Sequence, residues 1–134
     1  MVTDIQFPDR GDKPSCSSFE RYSLCAGSFQ ISQLVPREES GPAAQLGTDV
    51  HLALSGGKVN LTEEGEELYN LCRYHLDKLH GEVIAGEPIT KTLVEQRLWW
   101  KGEWSGQMDR IDFWGENALV SDYKTGRGEV VPAE

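Results

Sequence analysis

Hydrophobic and polar positions alternate with a helical period in stretches between Ser15 and Leu79 and with a strand period between Leu93 and Tyr123. From Ser15, the positions Phe19, Tyr22 and either Cys25 or Ala26 recur at three- and four-residue steps behind several serines able to cap, which predicts a helix that Gly27 ends or bends. A polar break over 35–41 follows, with Pro36 and the run Arg37-Glu38-Glu39. Ser40 is then placed to cap a second helix, Pro42 to Ser55, with proline in the first turn where its missing N–H costs nothing. Its apolar residues Ala43, Leu46, Val50, Ala53 and Leu54 share a face, Gly47 permits close approach of another backbone, and His51 lies beside that face. Gly56-Gly57 stop this helix. Thr62 caps a third, with glutamates in its first turn, where the helix dipole favours negative charge, and Gly81 just past its expected end. Leu68, Leu71, Cys72, His75, Leu76 and Leu79 make it a packing element, and His75 and His80 read as structural or exposed.

After a link over 82–90 the period changes. Three β-prone runs, Leu93 to Trp100, Met108 to Trp114 and Ala118 to Tyr123, are separated by glycine-containing breaks, which predicts a three-stranded antiparallel meander. A two-residue loop at Gly115-Glu116, with glycine where a type II′ turn needs it, sets Trp114 opposite Asn117 and, counting back, Asp109 opposite Asp122. Opposed side chains have Cβ atoms roughly 5 Å apart, and like charges so placed destabilise a sheet unless something neutralises them. A divalent cation is the obvious neutraliser. Lys124 lies two residues beyond Asp122 and so projects from the same face. A hard cation such as Mg²⁺ takes oxygen ligands, and a neighbouring ammonium can orient a water or offset charge on a phosphorus centre under attack, which is the chemistry of phosphodiester hydrolysis. Asp112 has the opposite parity, and a salt bridge or solvent is its expected fate. Glu95 is an auxiliary candidate near the start of the first strand. Trp99, Trp100 and Trp104 flank the first turn, either as hydrophobic closure of the sheet, the favoured reading, or as a stacking platform for single-stranded DNA.

The predicted class is therefore α/β, with a loose segment over 1–14 and one domain over 15–134. No apolar run approaches the ~18 residues of a membrane span, and the N-terminus has no export signal pattern, so a cytoplasmic protein is expected. Three cysteines without CxxC spacing argue against a disulfide framework and a self-contained zinc site. A net charge of -9 is awkward for a DNA binder, because duplex affinity comes mostly from Lys and Arg neutralising phosphates. Part of this acidity is concentrated at Glu63, Glu64, Glu66 and Glu67, and part is the carboxylates a cation would offset.

Gly106-x-x-Asp109-Arg110-Ile111-Asp112 followed by Asp122-Tyr123-Lys124-Thr125-Gly126 resembles the paired motifs of the PD-(D/E)XK nucleases, nearest to the RecB-like branch with its Cas4-like and AddB-type nuclease domains. Gly47-Thr48-Asp49-Val50-His51 resembles the G-x-x-x-H motif that precedes them in that branch. The resemblance implies a restriction-endonuclease-like core and metal-dependent DNA cleavage, exonuclease ahead of endonuclease. His51, Asp109 and Asp122 would be metal ligands joined by the backbone carbonyl of Tyr123, and Lys124 would serve the hydrolytic water. The imidazole suits Mn²⁺ better than Mg²⁺. The serine-led N-terminal helix also resembles that of the family, but Cys25 is followed by Ala26 where a Cys-Pro step is usual. In some relatives that cysteine begins an iron–sulfur cluster of four thiolates whose other three lie further on, so no cluster is expected and Cys25 reads as a buried apolar residue. The likeness covers roughly Ser17 to Gly126. A closing helix with a Gln-x-x-x-Tyr motif and a further strand are missing from the stretch given, so a C-terminal segment or a partner protein is expected to supply basic surface for DNA. The competing expectation is a non-catalytic nuclease-like module that binds nucleic acid or protein.

Overall fold

The structure, a computed structural model, describes residues 13–36, 39 and 41–126. The expectations for the lead-in, for Ser40 as a cap and for the residues after Gly126 lie outside the described residues. The fold is mixed α/β: a 3-10 turn at Cys16–Ser18, helices α1 (Phe19–Leu24), α2 (Ser28–Leu34), α3 (Pro42–Leu54) and α4 (Glu63–Val83), then strands β1 (Lys91–Trp100), β2 (Trp104–Trp114) and β3 (Asn117–Ser121). The strands form the antiparallel meander expected, in the order β1-β2-β3. No helix among the described residues is long and apolar enough to cross a membrane.

Residues gather into two compact units, one of 13–36 with Glu95–Met108, the other of 39–94 with 109–126. The buried hydrophobic residues Val50, Leu54, Leu76, Ile84 and Ile111 all belong to the second unit. There α3 packs on α4. Gly41 caps α3 with Pro42 in its first turn. At its other end Gly56 has φ 89°, and N–H groups of Gly56 and Gly57 reach the carbonyls of Ala53 and Leu52, the Schellman closure that glycine permits. Thr62 accepts from the Gly65 N–H at 3.1 Å to start α4, with Glu63, Glu64 and Glu66 in the first turn.

α4 does not stop before Gly81 as the glycine suggests. It continues to Val83, and the extra turn buries Ile84, which outweighs the ~1 kcal/mol a helical glycine costs. Leu71, expected to pack, is 53% exposed. Asp112 is fully buried and accepts from His80 Nε2 at 2.8 Å, Thr92 Oγ1 at 2.6 Å, and Arg110 Nε and Nη2 at 2.8 and 2.9 Å. This network ties α4 and β1 to β2. Burial alone would push the Asp112 carboxyl up, but the hydrogen bonds and the Arg110 charge prevail and hold it below its ordinary value.

The first unit has a different interior. Trp104 meets Phe19 and Tyr22 edge-on at 5.7 and 5.4 Å, Ser15 and Ser105 form a parallel bridge, and Arg97 donates to Ser105 Oγ at 2.8 Å. The single N-terminal helix expected is two short ones, since Cys25 leaves α1 in extended backbone with φ -149°. Cys25 is accordingly exposed, not buried.

Candidate functional site

The β2–β3 register runs from Trp114↔Asn117 to Arg110↔Ser121, the pairing that the Gly115-Glu116 turn predicts, with Gly115 at φ 51°. β3 ends at Ser121, two residues sooner than the apolar pattern suggests. Asp109 and Asp122 would be the next pair, but the chain leaves the ladder there. The Tyr123 N–H instead donates to Asp109 Oδ2 at 2.6 Å.

His51, in the last turn of α3, meets the same segment from the helix side. Its Nε2 donates to the Tyr123 carbonyl at 3.0 Å, its Nδ1 stands 3.4 Å from Asp109 Oδ1, and its ring lies edge-on to that of Tyr123. Gly47 is one turn earlier on the same face of α3, and a Cβ there would lie 3.1 Å from Thr125 Oγ1. Glycine at this position is what lets the 123–125 segment lie against the helix. The close approach anticipated at Gly47 is thus to the stretch that carries the candidate residues.

Asp109 is 9% exposed, and its charge is felt around it. Burial, then the Asp109 carboxylate, raise the Cys72 thiol. Burial also raises the Tyr123 phenol, against the lowering pull of Arg110 and Arg73. Asp122 does not join His51 and Asp109: its carboxylate is paired with Lys124, and the two side chains are 54% and 62% exposed. The hydrogen bond to Asp122 raises the Lys124 pKa against the opposing effect of burial, and the charges of Asp122 and Asp109 add to the rise. Lys124 therefore stands as an ammonium at neutral pH. Glu95, the auxiliary candidate, belongs to the first unit and accepts from Gln107 Nε2 at 2.6 Å.

Within the second unit the structure brings together an imidazole, a buried carboxylate and a backbone carbonyl, with an Asp–Lys ion pair on the residues either side of Tyr123. The direct grip of the Tyr123 amide on Asp109 could not be anticipated from periodicity, because it exists only where strand pairing has stopped. Comparison with protein-family models, with curated proteins and with solved structures finds no match.

Proposed function

We propose that the chain is a divalent-metal-dependent DNA nuclease with a restriction-endonuclease-like core, acting in repair, recombination, CRISPR adaptation or phage DNA processing. The observation that carries this reading is the meeting of His51 with both Asp109 and the Tyr123 carbonyl, since these groups come from a helix, a strand and the chain beyond a second strand. The donor set fits a hard or borderline cation: a buried carboxylate and a carbonyl supply oxygen, and the imidazole inclines the site towards Mn²⁺ over Mg²⁺. His51, Asp109 and Tyr123 would hold it, with Asp122 as a further carboxylate one residue from the Tyr123 carbonyl. When bound, such an ion polarises a phosphodiester and lowers the pKa of water.

The protein's own groups have separable tasks. The Tyr123 amide fixes the orientation of Asp109, and the imidazole of His51 braces the carbonyl on the other side. Lys124, an ammonium with its pKa raised, is unsuited to be a base and suited to offsetting negative charge on a phosphate. A second reading, a non-catalytic nucleic-acid or protein-binding module, is favoured by one observation: Asp122 and Lys124 satisfy each other at the surface.

The test is cleavage of linear and circular DNA with Mn²⁺, Mg²⁺ or EDTA by the protein and by His51→Ala, Asp109→Ala, Asp122→Ala and Lys124→Ala. The expected result is metal-dependent cleavage reduced about 10²-fold or more in Asp109→Ala, in line with loss of a group that positions the reacting centre. DNA binding without cleavage by the parent protein would favour the binding module. Cleavage unaffected by all four substitutions would remove this site from the mechanism.

A further inference from the structure

The three tryptophans around the first β-turn are not equivalent. Trp104 is enclosed by the edges of Phe19 and Tyr22 and serves as hydrophobic closure. Trp99 is half-buried, with Lys13 Nζ 5.8 Å from its ring centroid. Trp100 is 64% exposed at the end of β1, and Lys101 Nζ lies 5.1 Å from its ring centroid. The tip that carries it is held firmly. Lys101 and Gly102 both have positive φ, 50° and 71°, the Glu103 N–H donates to the Trp100 carbonyl at 3.0 Å, and Lys13 donates to the Gly102 carbonyl. An exposed indole on a closed turn, with the Lys101 ammonium over its ring, is therefore a built feature.

We propose that Trp100 is a stacking platform for an unpaired base of single-stranded nucleic acid, with Lys101 placed to meet a neighbouring phosphate. A base offers its π-face only when it is not stacked within a duplex, and stacking on an aromatic side chain tolerates any sequence. An exposed ammonium–indole contact is weaker than base stacking, so a base displaces Lys101 from the ring and leaves its charge for the backbone. Charge opposes a polyanion less in this unit than in the other. Among described residues the unit that carries Trp100 has four basic and three acidic side chains, whereas the other has six basic and thirteen acidic.

The proposal concerns binding alone and does not rest on the nuclease reading, so its test is made in EDTA, where metal-dependent cleavage cannot contribute. Anisotropy of labelled oligo(dT), oligo(rU) and a duplex of equal length is titrated with the full chain and with Trp100→Ala, Trp100→Phe and Lys101→Ala, each checked by circular dichroism and melting. Single strands are expected to bind more tightly than the duplex. Trp100→Ala should weaken that binding about tenfold, Trp100→Phe should retain most of it, and Lys101→Ala should lower the salt slope by about one. The dT and rU arms distinguish DNA from RNA as the source of the base. Equal binding by the parent protein and Trp100→Ala, equal affinity for duplex, or no binding of either single strand would overturn the proposal. So would a parent protein that self-associates through this tip and becomes monomeric in Trp100→Ala, since the indole would then serve a protein interface.

Discussion

Asp112 shows how far one residue can be read from sequence. Its parity on β2, opposite to that of Asp109, follows from counting and leaves a salt bridge or solvent as its fate, and the structure supplies the salt bridge from Arg110, two residues away on the same strand. Its complete burial does not follow, because two of its partners, His80 and Thr92, come from α4 and β1. Replacing Asp112 by Asn leaves the Arg110 guanidinium opposite a neutral group in a buried place, and a loss of about 3 kcal/mol is expected, read from urea denaturation. The pH dependence has a definite sign. Because the folded-state pKa is lowered, the unfolded chain takes up the proton first as pH falls. The stabilisation is whole above the ordinary carboxylate value of 3.8 and disappears as pH drops through the lower folded value. Asp112→Asn should therefore show a flatter decline of stability with acid than the parent protein.

At the level of elements, the boundaries were legible where local chemistry fixes them. Thr62 opens α4, Gly56-Gly57 closes α3, and the Gly115-Glu116 turn sets the β2–β3 register. They were not legible where a distant partner decides. α4 overruns Gly81 and buries Ile84 at its C-cap, and the next residue is Ala85, an L-residue with φ 53°. Ala85→Gly removes that steric cost, partly offset by the greater freedom of glycine in the unfolded chain, and should raise stability by about 0.5–1 kcal/mol in thermal melts. β3 stops early because Tyr123 is drawn between Asp109 and His51. That seat depends on α3 being bare at Gly47. Gly47→Ala should be near neutral, since the better helix propensity of alanine offsets a tight 3.1 Å contact with Thr125. Gly47→Leu should push the 123–125 segment away, cost about 1–3 kcal/mol in melting experiments and abolish the proposed cleavage.

Over the whole molecule the two units differ in what holds them. The buried aliphatic residues belong to the second, whereas Phe19, Leu24, Ile31, Leu34 and Val35 of the first are all at least 60% exposed. Local opening free energy follows buried apolar contact, so amides of α1 and α2 should exchange with deuterium well before those of α3 and the middle of α4. Mass spectrometry of peptic fragments measures this, and equal protection in both sets would contradict it. The composition alone reports an acidic chain, and only the fold separates a strongly acidic unit from one that is nearly balanced.

Glu95 has φ 51° in the middle of β1, a left-handed backbone inside an otherwise extended segment. A strand keeps its in-and-out rhythm only while every residue is extended, so the beat is broken at that point. Leu93 and Trp99 are both odd-numbered, yet whichever side the one shows, the other is under no obligation to repeat it. A side chain grafted onto this strand to reach a chosen side should be placed by counting from the nearer end, never across the interruption.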